Sequence, residues 1–205
     1  MKITTENLGK RFNREWIFKN LTYTFEAGNT YAIVGPNGSG KSTLLQILWG
    51  QLPPSLGSLN YAQGETKIPV EEIFRHLSNA TPYQELIEEF TLREMVHFHF
   101  RFKKARGAVS MQEIMDKMEL SHASGKLISN FSSGMRQRLK LGLAFFSESP
   151  ILFFDEPTTN LDKKSMVWYW DQLTHLPPGL LIFIASNQEH EYPPMAQKID
   201  ISGYR

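Results

Sequence analysis

The chain contains no cysteine. Disulfides, thiolate metal sites and cysteine nucleophiles are thereby excluded, and the absence fits a reducing compartment. Long hydrophobic runs are missing too. The longest apolar stretches are residues 151–154 and 180–185, whereas a helix that crosses a bilayer needs roughly 20 apolar residues. Any membrane role is therefore expected to come through a partner. The N-terminal MKITTENLGKRF has no apolar segment behind its lysine and does not read as a secretory signal. An excess of one charge is also absent. Lys and Arg number 22 against 21 Asp and Glu, which argues against a nucleic-acid partner and against an acidic solvating arm. No repeat, low-complexity tract or Ser-His-Asp arrangement stands out.

What remains is ordinary globular material: 205 residues, 41% hydrophobic and 21% charged, enough for one domain with a subdomain. Short apolar, β-branched or aromatic runs alternate with helical stretches. That alternation predicts an α/β fold with a largely parallel sheet. Strands are expected at 22–25, 30–34, 59–61, 151–154 and 180–185. Helices are expected from Lys41 onward and over 162–173. Residues 91–146 read as mostly helical, broken near Gly107 and Gly125, with Thr91 and Glu94 in capping-box spacing. Gly50 to Gly57, with Pro53 and Pro54, reads as a turn region.

Gly35, Pro36, Asn37, Gly38, Ser39, Gly40, Lys41, Ser42 and Thr43 match the phosphate-loop pattern G-x-x-x-x-G-K-[ST] between an expected strand and helix. Glycines let the backbone curl so that successive N–H groups face phosphate oxygens. The following helix presents its positive end to the same anion. Lys41 is expected to reach the β and γ phosphates, Ser42 to supply a hard oxygen to Mg²⁺, and Thr43 to bond the α-phosphate. A second candidate is the run Ile151, Leu152, Phe153, Phe154, Asp155, Glu156. Its acids are expected where a buried strand ends and α/β sheets bind ligands. Asp155 is the candidate metal ligand, acting through water, and Glu156 the candidate general base.

Phe131, Ser132, Ser133, Gly134 and Met135 precede that acidic pair. Together with the phosphate loop, Asp155-Glu156-Pro157-Thr158 and Asn160-Leu161-Asp162, they resemble the ATP-binding subunits of ABC transporters, whose signature is usually written LSGGQ. The resemblance covers nearly the whole chain. It implies a P-loop NTPase core with a mostly parallel sheet, a small antiparallel β subdomain and an inserted α-helical subdomain. The core would span about 1–77 and 147–205, and the insert about 85–146. It also implies a head-to-tail dimer, homodimeric or with another ABC ATPase. There Ser132, Ser133 and Gly134 of one copy cover the γ-phosphate of ATP held by the other, and Asp162 lies along the interface. Phe12 fits the family's adenine-stacking aromatic, with Trp16 as the fallback. Partners would be transmembrane permease subunits, and the location the cytoplasmic face of the membrane.

Two departures stand out. The family's glutamine that senses Mg²⁺ and the γ-phosphate falls on Pro82. Gln84, two positions later, is the candidate substitute. The family's histidine after the last core strand is replaced by Asn187, which can donate a hydrogen bond but carries no charge; His190 is three residues on. Slow hydrolysis is therefore expected. The competing readings are a nucleotide-dependent regulatory switch and a soluble non-transport ABC ATPase. Glu85, Glu88 and Glu89 predict a negative docking surface around 81–90. The alternating segment 97–102 is expected to be helical, with aromatics inward and polar groups outward, and its two histidines are not read as a metal site. Arg136, Arg138 and Lys140 are expected on a solvated helix face, or else near a neighbouring phosphate or acidic patch.

Overall fold

The structure is a computed structural model and describes residues 1–204. Two compact units divide the described residues: 1–77, 150–156 and 177–204 form the first, and 78–149 with 157–176 the second.

In the first unit, β1 (Lys2–Phe12) and β2 (Glu15–Glu26) form an antiparallel hairpin. β3 (Thr30–Val34) leads through a loop into α1 (Lys41–Leu48). β4 (Leu56–Gln63) and β5 (Thr66–Ile68) follow, giving an antiparallel sheet of order β2-β1-β4-β5. A 3₁₀ segment covers Val70–His76. β6 (Leu77–Ala80) is where the chain passes from the first unit to the second. β7 (Ile151–Asp155), β8 (Leu181–Ala185) and β9 (Gln197–Asp200) complete a parallel array of order β7-β8-β3-β9.

Every residue of β7 and β8 is buried. Their unbroken apolar runs are the signature of strands covered on both faces. Phe153 and Phe183 stack across neighbouring strands with centroids 4.8 Å apart, and Trp49 meets Phe153 edge-on at 5.5 Å. Phe25 of β2 packs on Tyr31 and Phe183, which joins the antiparallel sheet to this core. β1 was not expected, and only residues 22–25 of β2 were. The polar KITTENLGKRF run slips register between Thr5 and Leu8 and again between Leu8 and Lys10. These irregularities interrupt the two-residue alternation by which a strand is read.

The second unit holds α2 (Leu92–Phe102), α3 (Met111–Lys117), α4 (Ser133–Phe146) and α5 (Lys163–Thr174). Its core includes Leu92, Val96, Ile114, Met118, Ile128, Leu139 and Leu143. Capping boxes open α2 at Thr91 and Glu94 and α3 at Ser110 and Glu113, each reciprocally satisfying exposed helix N–H groups. At the other end of α4, Arg106 donates to the carbonyls of Phe145, Ser147 and Ser149. It thus serves acceptors that a helix terminus leaves open.

Three expectations fail here, the first only in part. Residues 97–102 are helical, with His97 and Arg101 exposed and Phe100 packed on the core as expected, but Phe102 is 75% exposed and Phe98 37%. His99 instead is half-buried against Ser147, Nε2 to Oγ 2.9 Å. Arg136, Arg138 and Lys140 are not a solvated face. Arg136 pairs with Glu88 at 2.6 Å, Arg138 is buried, and Lys140 donates to the carbonyls of Thr81 and Pro82. The surface around 81–90 is accordingly mixed in charge rather than negative. Among the described residues no helix is long and apolar enough to cross a membrane.

Candidate functional site

In the first unit β3 runs into residues 35–40, and α1 starts at Lys41. Gly40 stands immediately before the helix at φ 104°, and a Cβ there would strike the Ile17 side chain. The left-handed backbone and the missing side chain are both required. Lys41 is 5% exposed and donates to the Gly35 carbonyl at 2.8 Å and the Pro36 carbonyl at 3.2 Å. These contacts use two of its three protons. The Ser39 hydroxyl oxygen is buried without a hydrogen-bond partner.

Asp155 ends β7, buried, and accepts a hydrogen bond from the Ser42 side chain. Its Oδ1 has no partner. Burial pushes its pKa up to about 6. The Ser42 hydrogen bond and Lys41 oppose that rise, and the neighbouring Glu156 and Glu191 charges add to it. Glu156 follows with a left-handed backbone, φ 46°, its amide donating to the Ala185 carbonyl at 2.9 Å. Asn187, just after β8, donates from its side-chain amide to Asn37 Oδ1 at 3.3 Å. Residues 35–43, Asp155, Glu156 and Asn187 all lie in this unit. Ser42 and Lys41 act on Asp155, and Asn187 is tied to Asn37.

A divalent cation fits these donors. One unpartnered buried carboxylate oxygen and one hydroxyl are hard oxygens suited to Mg²⁺, which keeps waters and phosphate oxygens in its remaining positions. Among the described residues no cluster of three His, Asp or Glu side chains forms a protein-only metal cage. Glu191 is a member of this site that sequence reasoning missed. It is fully buried, and its charge raises Asp155. A glutamate in a three-residue 3₁₀ turn offers no periodicity that would single it out.

Phe12 ends β1 with 45% of its surface open, and the Lys10 ammonium lies 5.1 Å from its ring centroid. Trp16 is half-buried, with the Arg11 guanidinium 5.4 Å over its ring.

In the second unit Ser132 caps α4, its hydroxyl accepting from the Met135 amide at 3.2 Å. Ser133 is exposed. A Cβ on Gly134 would lie 3.0 Å from the Asn160 carbonyl oxygen, so the start of α4 closely approaches the turn before α5. Asp162 caps α5 by accepting from the Ser165 amide at 2.7 Å. The Ser165 side chain and then its amide hold the Asp162 carboxyl below the usual carboxylate range. Ser132, Ser133, Gly134, Asn160 and Asp162 line one cavity of about 590 Å³. Gln84 belongs to the second unit as well. It is half-buried, with a side-chain oxygen that has no partner.

Residues 18–159 match the family model described as "ABC transporter". The chain is 31% identical to the "Uncharacterized ABC transporter ATP-binding protein YybJ" of Bacillus subtilis, over 90% of this chain and 85% of that protein. It is 30% identical to "ABC transporter A family member 1" of Dictyostelium discoideum, over 89% of this chain. The chain spans about a fifth of that second protein, 21%. The fold is similar to a solved "Putative ABC transporter (ATP-binding protein)" of Pyrococcus furiosus. There the TM-score is 0.81 at 20% identity, covering 100% of this chain and 99% of that one. The glycine-built loop, the buried acid facing it and the small-residue helix start thus occur in a chain that belongs to the ABC transporter family.

Proposed function

We propose that this chain is the ATP-hydrolysing motor of a transporter. It holds Mg-ATP in residues 35–43, closes on a second ATPase copy and passes that closure to separate transmembrane permease subunits at the cytoplasmic face of the membrane. The observation that supports this reading best is the buried Asp155, bonded to Ser42 beside Lys41, with one oxygen still open. A buried carboxylate without a full set of partners is costly to maintain in a structural role. Opposite a phosphate loop it suits a metal nucleotide.

The roles follow from position. Loop amides and the N-terminal end of α1 hold phosphate oxygens, and Lys41 exchanges loop carbonyls for the β and γ phosphates. Ser42 and Asp155 would hold Mg²⁺, which screens phosphate charge during transfer. Glu156 orients and deprotonates the attacking water. Phe12, with the more open ring, stacks on adenine, leaving Trp16 under Arg11. Ser132, Ser133 and Gly134 present a capped helix start to the second copy's γ-phosphate, and Gln84 senses the nucleotide from the permease side.

Glu156→Gln tests this directly. It keeps shape and loses the base, so ATP turnover should fall at least ~100-fold, while gel filtration with ATP shows a dimer absent without it. Turnover at the parent rate eliminates Glu156 as the base. A second reading, a nucleotide-dependent switch that turns over little, draws on one observation: Asn187 spends its amide on Asn37 and brings no charge to the loop. A soluble non-transport ATPase has no such observation in its favour.

A further inference from the structure

α4 begins at the signature residues, and its second turn carries an arginine where an exposed charge was expected. The Arg138 side chain is only 9% exposed. Its Nη1 lies 2.7 Å from Glu119 Oε2, its Nη2 donates to the Ser165 hydroxyl, and its guanidinium carbon is 5.1 Å over the Trp168 ring. Trp168 in turn donates its indole N–H to the Lys117 carbonyl at 2.7 Å. A guanidinium buried this deeply persists only with its donors matched. Here its two terminal nitrogens are partnered by Glu119 in the turn after α3 and by Ser165 of α5, and the ring of Trp168, also on α5, covers the guanidinium face.

The spacing on α4 gives the network a direction. Gly134 and Arg138 are four residues apart and share a helix face. Gly134 approaches the Asn160 carbonyl, and Arg138 reaches Ser165. One face of α4 therefore grips the segment 160–165 at both ends. That segment needs holding: Asn160 is exposed with a left-handed backbone, φ 65°. Ser165 joins the two grips, because its amide serves the Asp162 cap while its hydroxyl serves Arg138. On the far side Glu119 is an anchor with its own strain. It is a non-glycine residue at φ 54°, held by Arg138 and by Lys164 at 3.1 Å. The Arg138 hydrogen bond, then that of Lys164, keeps its carboxyl below the usual range.

We propose that Arg138 is a positioning residue for ATP turnover: by bridging Glu119 and Ser165 it fixes the turn at Asn160–Asp162 against the start of α4, so that both present one preformed wall to the second copy's nucleotide. The inference rests on the two-copy reading above, and it assigns to that wall a support which the signature residues do not themselves provide. The planar fork is essential to it. A lysine ammonium can meet Glu119 but cannot also reach Ser165 in the same plane.

The test uses the full chain as Arg138→Met, Arg138→Lys and Glu119→Gln, with a fluorescent ATP analogue, steady-state turnover and ATP-dependent dimer formation in the Glu156→Gln background. Arg138→Met should lower kcat about ten-fold or more while analogue affinity of the single copy stays within two-fold, and should weaken the dimer. Arg138→Lys should recover part of kcat. Glu119→Gln, milder for folding, should lower kcat in the same sense, and Arg138→Met added to it should cost less than it does alone. Unchanged kcat and dimer in Arg138→Met overturn the clamp. So does a parallel fall in analogue affinity and thermal stability with no separate loss of kcat, since a merely structural role gives that pattern. A parent that forms no dimer with ATP overturns the two-copy reading itself. A parent that dimerises beside an equally competent Arg138→Met overturns the clamp alone.

Discussion

The phosphate-loop region and the signature region treat their polar groups in opposite ways. Around residues 35–43 and Asp155, buried oxygens are left open: Ser39 Oγ and Asp155 Oδ1 have no partner, and Lys41 rests on loop carbonyls. Around residues 132–138 and 160–165, the caps and charges are mostly closed, with Arg136 Nε the exception. Ser132 serves Met135, Asp162 serves Ser165, and Arg138 serves Glu119 and Ser165. Open buried polar groups cost stability and mark where a ligand supplies the missing bonds. Closed networks make a surface rigid without marking it. On the function proposed above, with a nucleotide bound on one surface and a firm wall presented on another, the chain has use for both.

The open region breaks most sharply at Gly40. Gly40→Ala places a side chain in a left-handed backbone, against Ile17. The backbone term alone is about 1–2 kcal/mol, and relief of the clash displaces the amides that face phosphate. Affinity for a fluorescent ATP analogue should drop at least ~100-fold, with circular dichroism confirming that the fold survives. Binding within three-fold of the parent would mean that the loop does not need this geometry.

Elsewhere in the helical unit, at His99 of α2, the response is to acid instead. Burial, then the Lys103 charge, lowers the His99 pKa from 6.5 to about 4. The folded chain therefore refuses a proton that the unfolded chain takes up below pH 6.5. Stability from the neutral ring is fully present above that pH and is lost as pH falls toward 4. The expected loss at pH 5 is about 2 kcal/mol. Glutamine at this position keeps a donor for Ser147 and cannot titrate. Urea unfolding at pH 7.5 and pH 5 should show the parent losing more than His99→Gln; equal losses would place the acid sensitivity elsewhere.

The same contrast explains how much could be read from the sequence. Asp155, Lys41 and the glycines were legible because their chemistry is local: a turn, a helix start and a strand end, set by residues within one short run. The buried strands 151–155 and 181–185 were legible for the same reason. Arg138, His99 and Glu191 were not. Each is a polar residue made interior by partners distant in sequence, such as Glu119 for Arg138 and Ser147 for His99. Composition and period place such residues outside. The segment 97–102 belongs here in part: His97, Phe100 and Arg101 face as their types suggest, while His99 is half-buried and Phe98 and Phe102 are exposed. β1 was lost to its register slips.

The smallest effect sharpens the comparison within the open region itself. Asn187 is a polar group that has found a partner there, Asn37 Oδ1 at 3.3 Å. That bond is long and neutral, so it is worth about 1 kcal/mol or less. A nucleotide's γ-phosphate offers a charged acceptor, but an asparagine amide meets it without a charge of its own. Histidine can meet it as a cation or as a neutral donor. Charge-assisted bonds are roughly twice as strong as neutral ones. Asn187→His should therefore raise kcat about three- to ten-fold, a gain of about 1 kcal/mol in transition-state stabilisation. The affinity of the ground state should change less, because the substitution acts on charge that develops during transfer. Steady-state turnover against ATP concentration separates the two. A rate that stays level or falls shows that Asn187 is no weak substitute, and that any slowness of this chain arises at Gln84 or in the second copy.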